Sequence, residues 1–173
     1  AGTDLASAVI IGHLAGDAIN TNNSQGSILI GYQAGTTQTG GVNTYIGYDA
    51  GRYNVTGTYN TTVGFESGMN ATGSSNSFFG YQAGKGGTTS APYSSGTHNT
   101  ALGNQALGGF TTGGSNTAIG YAAGNSIKTG TENAFLGYNA GYNATGSMSY
   151  GVAIGSHAGY QNNNGSVVYI GRY

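Results

Sequence analysis

An all-β chain wound as a parallel solenoid of about ten short coils is the fold class that three observations predict. One short phrase recurs ten times, Gly supplies 35 of the 173 residues against a single Pro, and like residues fall into columns when the phrases are aligned. The phrase is a polar residue, two or three strand formers, a Gly, and often Tyr-x-Ala-Gly. Its anchoring glycines are Gly12, Gly31, Gly47, Gly64, Gly80, Gly103, Gly120, Gly137, Gly155 and Gly171, so the intervals are 19, 16, 17, 16, 23, 17, 17, 18 and 16 residues. Residues 1–173 therefore read as one repeat domain, expected to be a piece of a longer fibrous protein.

The first element of each coil is the run of strand formers before the Gly, such as Thr117-Ala118-Ile119, rich in the β-branched and aromatic residues that suit a pleated surface. A second extended piece is expected from half-repeats such as Tyr53-Asn54-Val55-Thr56-Gly57 and Tyr142-Asn143-Ala144-Thr145-Gly146. A unit this small cannot bury a core alone and must stack on its neighbours. At a coil spacing of roughly 4.8 Å, ten coils make a rod on the order of 45 to 50 Å long.

Stacking turns sequence positions into columns. Immediately before the anchoring Gly stand Ile11, Ile30, Ile46, Val63, Phe79, Leu102, Ile119, Leu136, Ile154 and Ile170, a file with no polar member that predicts the inside of the roll. One residue earlier, Ile10, Leu29, Tyr45, Thr62, Phe78, Ala101, Ala118, Phe135, Ala153 and Tyr169 point to the opposite face and are also largely apolar. A sheet apolar on both faces needs two covers, and with no helix to supply the second, self-association is the simplest remedy. After the Gly, Tyr32, Tyr48, Tyr81, Tyr121 and Tyr138, with Phe65, form a surface aromatic column. Small residues such as Ala34, Ala50, Ala106 and Ala140 follow two positions later. Four before the Gly, Asn43, Asn60, Asn76, Asn99, Asn116 and Asn133 predict a stacked amide ladder.

Composition excludes several classes. Gly without a Gly-X-Y period is not collagen, and 5% charged residues is not the highly charged type of disorder. Net charge is -1 with four Lys or Arg, so no basic stripe awaits nucleic acid. No Cys is present, which removes disulfides and thiolate chemistry. The longest apolar stretch, residues 8–11, is too short to cross a bilayer, so no membrane insertion is expected.

The phrases Asn116-Thr117-Ala118-Ile119-Gly120-Tyr121-Ala122-Ala123-Gly124 and Gly151-Val152-Ala153-Ile154-Gly155-Ser156-His157-Ala158-Gly159 resemble the head repeats of trimeric autotransporter adhesins of the YadA type. They are similar also to repeats of phage tail fibres. The resemblance implies a left-handed parallel β-roll, an intertwined homotrimer, and display outside the cell or on a virion tail fibre. The period here is longer, with Tyr after the Gly, which leans towards the tail-fibre version. Neither handedness nor threefold assembly is read from spacing.

Catalytic constellations are absent from the sequence. Gly84-Lys85 follows Gly80 at the wrong spacing for a phosphate-binding loop, and His13, His98 and His157 share no metal-ligand spacing. The chain reads as no enzyme, with no catalytic residue and no cofactor. One weak metal candidate is the pair Asp49 and Glu66, two residues after their glycines on successive coils; two carboxylates are fewer than an oxygen-rich calcium site wants, and solvation beside Arg52 is the preferred reading. Asn-x-Thr triplets at Asn54, Asn60, Asn70 and Asn143 match the glycosylation pattern, as an Asn- and Thr-rich repeat does by chance.

Binding is expected where coils are irregular. The longest interval holds residues 85–98 with the single Pro, and Lys85, Tyr93 and His98 are its candidate receptor contacts; residues 17–25 form a lesser bulge. The leading expectation is an adhesive or receptor-binding surface fibre whose partners are further copies of itself and a cell-surface glycan or protein. The alternative is a purely structural shaft or filament subunit. An ice-binding solenoid ranks below both, because the column of Thr44, Thr61, Thr100 and Thr117 also holds Val9, Ile28, Ser77 and Ala134.

Overall fold

The computed structural model describes residues 7–19, 26–91, 93–144, 148–161 and 165–172. Ten strands of three residues each form a single sheet: β1 (Val9–Ile11), β2 (Ile28–Ile30), β3 (Thr44–Ile46), β4 (Thr61–Val63), β5 (Ser77–Phe79), β6 (Thr100–Leu102), β7 (Thr117–Ile119), β8 (Ala134–Leu136), β9 (Val152–Ile154) and β10 (Val168–Ile170). They are ordered β1 to β10 without crossover and every pair is parallel, so the chain must travel once around between strands. That is a β-solenoid, and no helix occurs among the described residues. Columns expected from the aligned glycines are the observed register: Ile119 stands opposite Leu102 on one side and Leu136 on the other.

Which face is inside is the reverse of the expectation. In a three-residue strand the middle side chain points one way and its two neighbours the other. The middle residues Leu29, Tyr45, Phe78, Ala101, Ala118, Phe135 and Ala153 are buried. Ile11, Ile30, Ile46, Val63, Phe79, Leu102, Ile119, Leu136, Ile154 and Ile170 lie on the outer face, where Leu102 is 50% exposed and Leu136 47%. The physical reason is room. The inside of a coil is narrow, and the middle column, which ranges from Ala101 to Phe135, varies in size to suit, whereas the outer file is uniformly large.

That variation is matched across the coil. Where the strand brings a ring, the facing residue seven after the Gly is small or polar: Phe135 meets Ala144, and Tyr45 meets Asn54, whose Nδ2 donates to the phenol oxygen at 2.6 Å. Where the strand brings Ala101 or Ala118, the large residue comes from the other side as Phe110 or Ile127. Burial lifts the Tyr45 phenol far above its ordinary pKa, against the opposing hydrogen bonds from Asn60 and Asn54.

Two backbone devices make the stacking possible. The anchoring glycines sit directly over one another; a methyl group on Gly137, at φ +136°, would lie 2.6 Å from the carbonyl oxygen of Gly155 in the next coil. Two residues further on, Leu14, Gln33, Asp49, Glu66, Gln82, Gln105, Ala122, Asn139 and His157 all adopt the left-handed conformation, with φ between 51° and 59°. Repeated left-handed residues bend the path so sharply that the second extended piece expected in each coil does not become a strand. Its backbone still bonds from coil to coil, as from Tyr53 N–H to the Met69 carbonyl at 2.9 Å, but the described residues show only isolated bridges there, at Ala71 with Ser94 and at Ile127.

The Asn column is buried and works mainly through backbone rather than as an amide-to-amide ladder. The Oδ1 atoms of Asn43, Asn60, Asn76, Asn99 and Asn116 each accept the main-chain N–H of the next Asn at 2.8–3.0 Å. Their Nδ2 atoms donate to the carbonyls of Gly57, Gly73, Gly96, Gly113 and Gly130 at 2.8–3.1 Å. Direct amide-to-amide bonds join Asn116 to Asn99 and Asn133 to Asn116. Each side chain thus clips one coil to two points of the next, which satisfies groups that would otherwise be buried unpaired.

Candidate functional site

The outer sheet face carries two parallel ladders. One is the aliphatic file just described. Beside it, across the anchoring glycines, rings stack from coil to coil: His13 on Tyr32 at 5.6 Å, Tyr32 on Tyr48 at 4.9 Å, Tyr48 on Phe65 at 5.0 Å and Phe65 on Tyr81 at 5.5 Å, with interplanar angles of 7–14°. Tyr121 and Tyr138 continue the file at 5.2 Å after an interruption. All five tyrosines, Tyr32, Tyr48, Tyr81, Tyr121 and Tyr138, are exposed, yet their faces are largely covered by one another and their edges meet solvent.

The three loop candidates are each engaged with a different neighbour. Lys85 pairs with Glu66, Nζ to Oε2 at 2.5 Å. Tyr93 lies where the long turn returns to the rod and stacks on Tyr53 at 4.8 Å, so this side of the turn is docked. His98 is exposed at a left-handed corner of its coil, its Nδ1 3.0 Å from Thr97 Oγ1. Pro92 and residues 20–25 of the lesser bulge lie outside the described residues.

Asp49 and Glu66 occupy equivalent left-handed positions on successive coils, but each has its own cation. Arg52 Nη1 is 3.1 Å from Asp49 Oδ2, and its guanidinium also lies over the Tyr53 ring at 4.9 Å. Partial burial pushes the Glu66 carboxyl up, but hydrogen bonds from Lys85 and Gln82 and the Lys85 charge outweigh it, so its pKa lies below the ordinary value. Among the described residues no group of three or more His, Asp or Glu side chains converges on a common point. His13 ends the ring ladder, and His157 packs against Tyr138 and Tyr160.

One concavity was not foreseen. A surface notch of about 210 Å³ opens on the coils of β5 to β7, lined by Gln82, Lys85, Gln105, Gly108, Gly109 and Asn125. It opens where Gly108-Gly109 stand in place of the Arg52-Tyr53, Met69-Asn70 or Tyr142-Asn143 of other coils, and the same coil departs from the repeat a second time, with Asn104 in place of the usual aromatic residue. Both departures are visible in the aligned sequence as breaks in columns. Their meaning appears only once the columns are known to face outward.

No family model, curated protein or solved structure matches the chain.

Proposed function

We propose that the chain is a non-enzymatic segment of an extracellular surface fibre, a phage tail fibre or a bacterial trimeric adhesin, that assembles with copies of itself and binds a cell-surface receptor. The observation that carries the reading is the outward apolar file, with one side chain on each of the ten strands, exposed at Ile11, Phe79, Leu102, Ile119, Leu136, Ile154 and Ile170 and part-buried at Ile30, Ile46 and Val63. A contiguous apolar stripe of that length marks an interaction surface. Its periodicity argues for the occupant: a partner that fits rung by rung needs the same axial repeat, and another copy of this chain has it. Covering a half-exposed apolar side chain contributes about 1 kcal/mol per rung, so the exposed rungs together reach the scale of the cost of association, about 4–15 kcal/mol. Left-handed winding and a stoichiometry of three come from the resemblance to adhesin heads and tail fibres, and are part of the proposal.

Leu102→Asp/Leu136→Asp tests it. Both side chains are outward, so the variant is expected to keep the β circular dichroism of the parent while its light-scattering mass drops from three chains to one. A parent chain that is monomeric at micromolar concentration would overturn the reading. The purely structural alternative, a shaft or filament subunit, gains support from the docking of Tyr93 on Tyr53, which ties the long turn to the rod. Unchanged cell attachment by a chain lacking residues 87–91 would favour it.

A further inference from the structure

We infer that the gap in the aromatic ladder at Asn104, with the notch on the same coils, is a binding site for a neutral saccharide, one sugar ring entering between Tyr81 and Tyr121. The inference rests on the proposed reading of the chain as a receptor-binding fibre segment and names the chemical class of the receptor.

Three features of the gap point to a sugar. First, ring stacking covers both faces of the inner tyrosines, but Tyr81 stacks only on Phe65 and Tyr121 only on Tyr138. Each of the two therefore turns one uncovered face towards the intervening coil, where Asn104 is exposed and carries no ring. The two faces are two coil spacings apart, roughly 10 Å, which leaves room for one pyranose ring in contact with both. From His13 to Tyr138 all the other coils supply a ring at this position, and here one rung is left out.

Second, the notch on the same coils, lined by Gln82, Gln105 and Asn125, offers hydrogen bonds to hydroxyls. Gln105 Nε2 donates to Gln82 Oε1 at 3.1 Å, Gln82 Nε2 donates to Glu66 Oε2 at 2.9 Å, and Asn125 Nδ2 donates to the Gln105 carbonyl at 2.8 Å. This chain fixes the amides in place, while the Asn104 amide, Gln105 Oε1 and Asn125 Oδ1 have no hydrogen-bond partner among the described residues. Fixed amides beside open aromatic faces are the small set of placed polar groups on a nonpolar platform that a ligand site needs. Third, the charge is balanced. Lys85 is held by Glu66, so no free cation awaits a phosphate, a sialic acid or a nucleic-acid backbone.

Asn104→Tyr provides the test. It restores the residue type that coils on both sides carry at this position, so the variant is expected to fold and to assemble as the parent does, while a new ring fills the gap. Parent, Asn104→Tyr and Tyr121→Ala chains, each of measured mass, are applied to a printed array of neutral hexose- and N-acetylhexosamine-terminated oligosaccharides. The expected result is binding by the parent to at least one neutral glycan, weakened tenfold or more in both variants. A parent that assembles as a trimer but leaves the array blank overturns the saccharide site and leaves the fibre reading standing; so does an Asn104→Tyr chain that binds as well as the parent. A monomeric parent that binds glycan through Tyr121 and loses it with Asn104→Tyr would uphold the site and overturn the fibre reading.

Discussion

Asn116 shows how one residue type holds such a narrow fold together. Its Oδ1 accepts the main-chain N–H of Asn133 at 3.0 Å and the Asn133 amide at 2.9 Å, while its Nδ2 donates to the Gly130 carbonyl at 2.9 Å and to Asn99 Oδ1 at 3.1 Å. Only a primary amide on a short stem offers acceptor and donor at this reach; Asp lacks the donor and would bury a charge, and Gln is too long. Asn116→Ala removes the partner of the buried Asn133 N–H and of the Gly130 carbonyl. At about 1–3 kcal/mol for each of the two buried groups left unsatisfied, the expected loss is about 2–6 kcal/mol. The outward neighbour Thr117→Ala should stay within about 0.5 kcal/mol. Urea unfolding midpoints compare the two, and equal midpoints would show that water replaces the Asn116 amide at no cost.

At the scale of the coil, stability depends on strand and facing turn being matched in volume, whichever side supplies the larger side chain. The coil of β6 is built as Ala101, Leu107 and Phe110, with Leu107 in the left-handed conformation at φ 48°; the coil of β8 is built as Phe135, Gly141 and Ala144. A methyl group on Gly141 would collide with the Phe135 ring, whereas Leu107 is admitted because Ala101 leaves space. Phe110→Ala alone should therefore cost about 3–5 kcal/mol through the cavity it opens. The triple change Ala101→Phe/Leu107→Gly/Phe110→Ala rewrites the coil in the arrangement of the β8 coil and should recover most of that loss, measured by the same unfolding assay. A triple variant no more stable than the single one would mean that the volumes are not interchangeable. These pairings also explain what the sequence made legible. Strand positions, register and the Asn and Ala columns follow from aligning the glycines, because a stacked fold repeats its geometry with its phrase. The inside of the strand did not follow, because Ile119 and Ala118 are both apolar and a three-residue strand has too few positions for alternation to decide. The usable signal was elsewhere: the column of Tyr45, Ala101, Ala118 and Phe135 changes size in step with Asn54, Phe110, Ile127 and Ala144, as facing residues must. Likewise the candidate site was visible as the missing ring at Asn104, but a missing ring becomes a gap only when its neighbours are known to stack.

For the whole molecule, each coil touches only its neighbours, so the rod should behave as a sum of coils and of the contacts between them. Removing residues 104–120 tests this directly. The deletion takes out one full period, joins Gly103 to Tyr121, and pairs Ala101 with Ile127, so the shortened coil again holds one large interior side chain. It also brings Tyr121 against Tyr81, closing the gap in the aromatic ladder, and removes one rung of ten from the aliphatic file. The expected outcome is a rod that keeps the parent's β circular dichroism, cooperative unfolding and assembly mass, at somewhat lower stability, and that has lost glycan binding. Removing residues 104–112 instead shortens a coil by about half. The chain can then no longer return to the sheet with Ala118 inward and Ile119 outward, and every residue after the junction is displaced relative to the column above it. That variant should lose cooperative unfolding altogether. Were the half-coil deletion tolerated as well as the full one, the stacking of like positions would not be what holds the rod together, and the outward file could no longer be argued as an assembly surface.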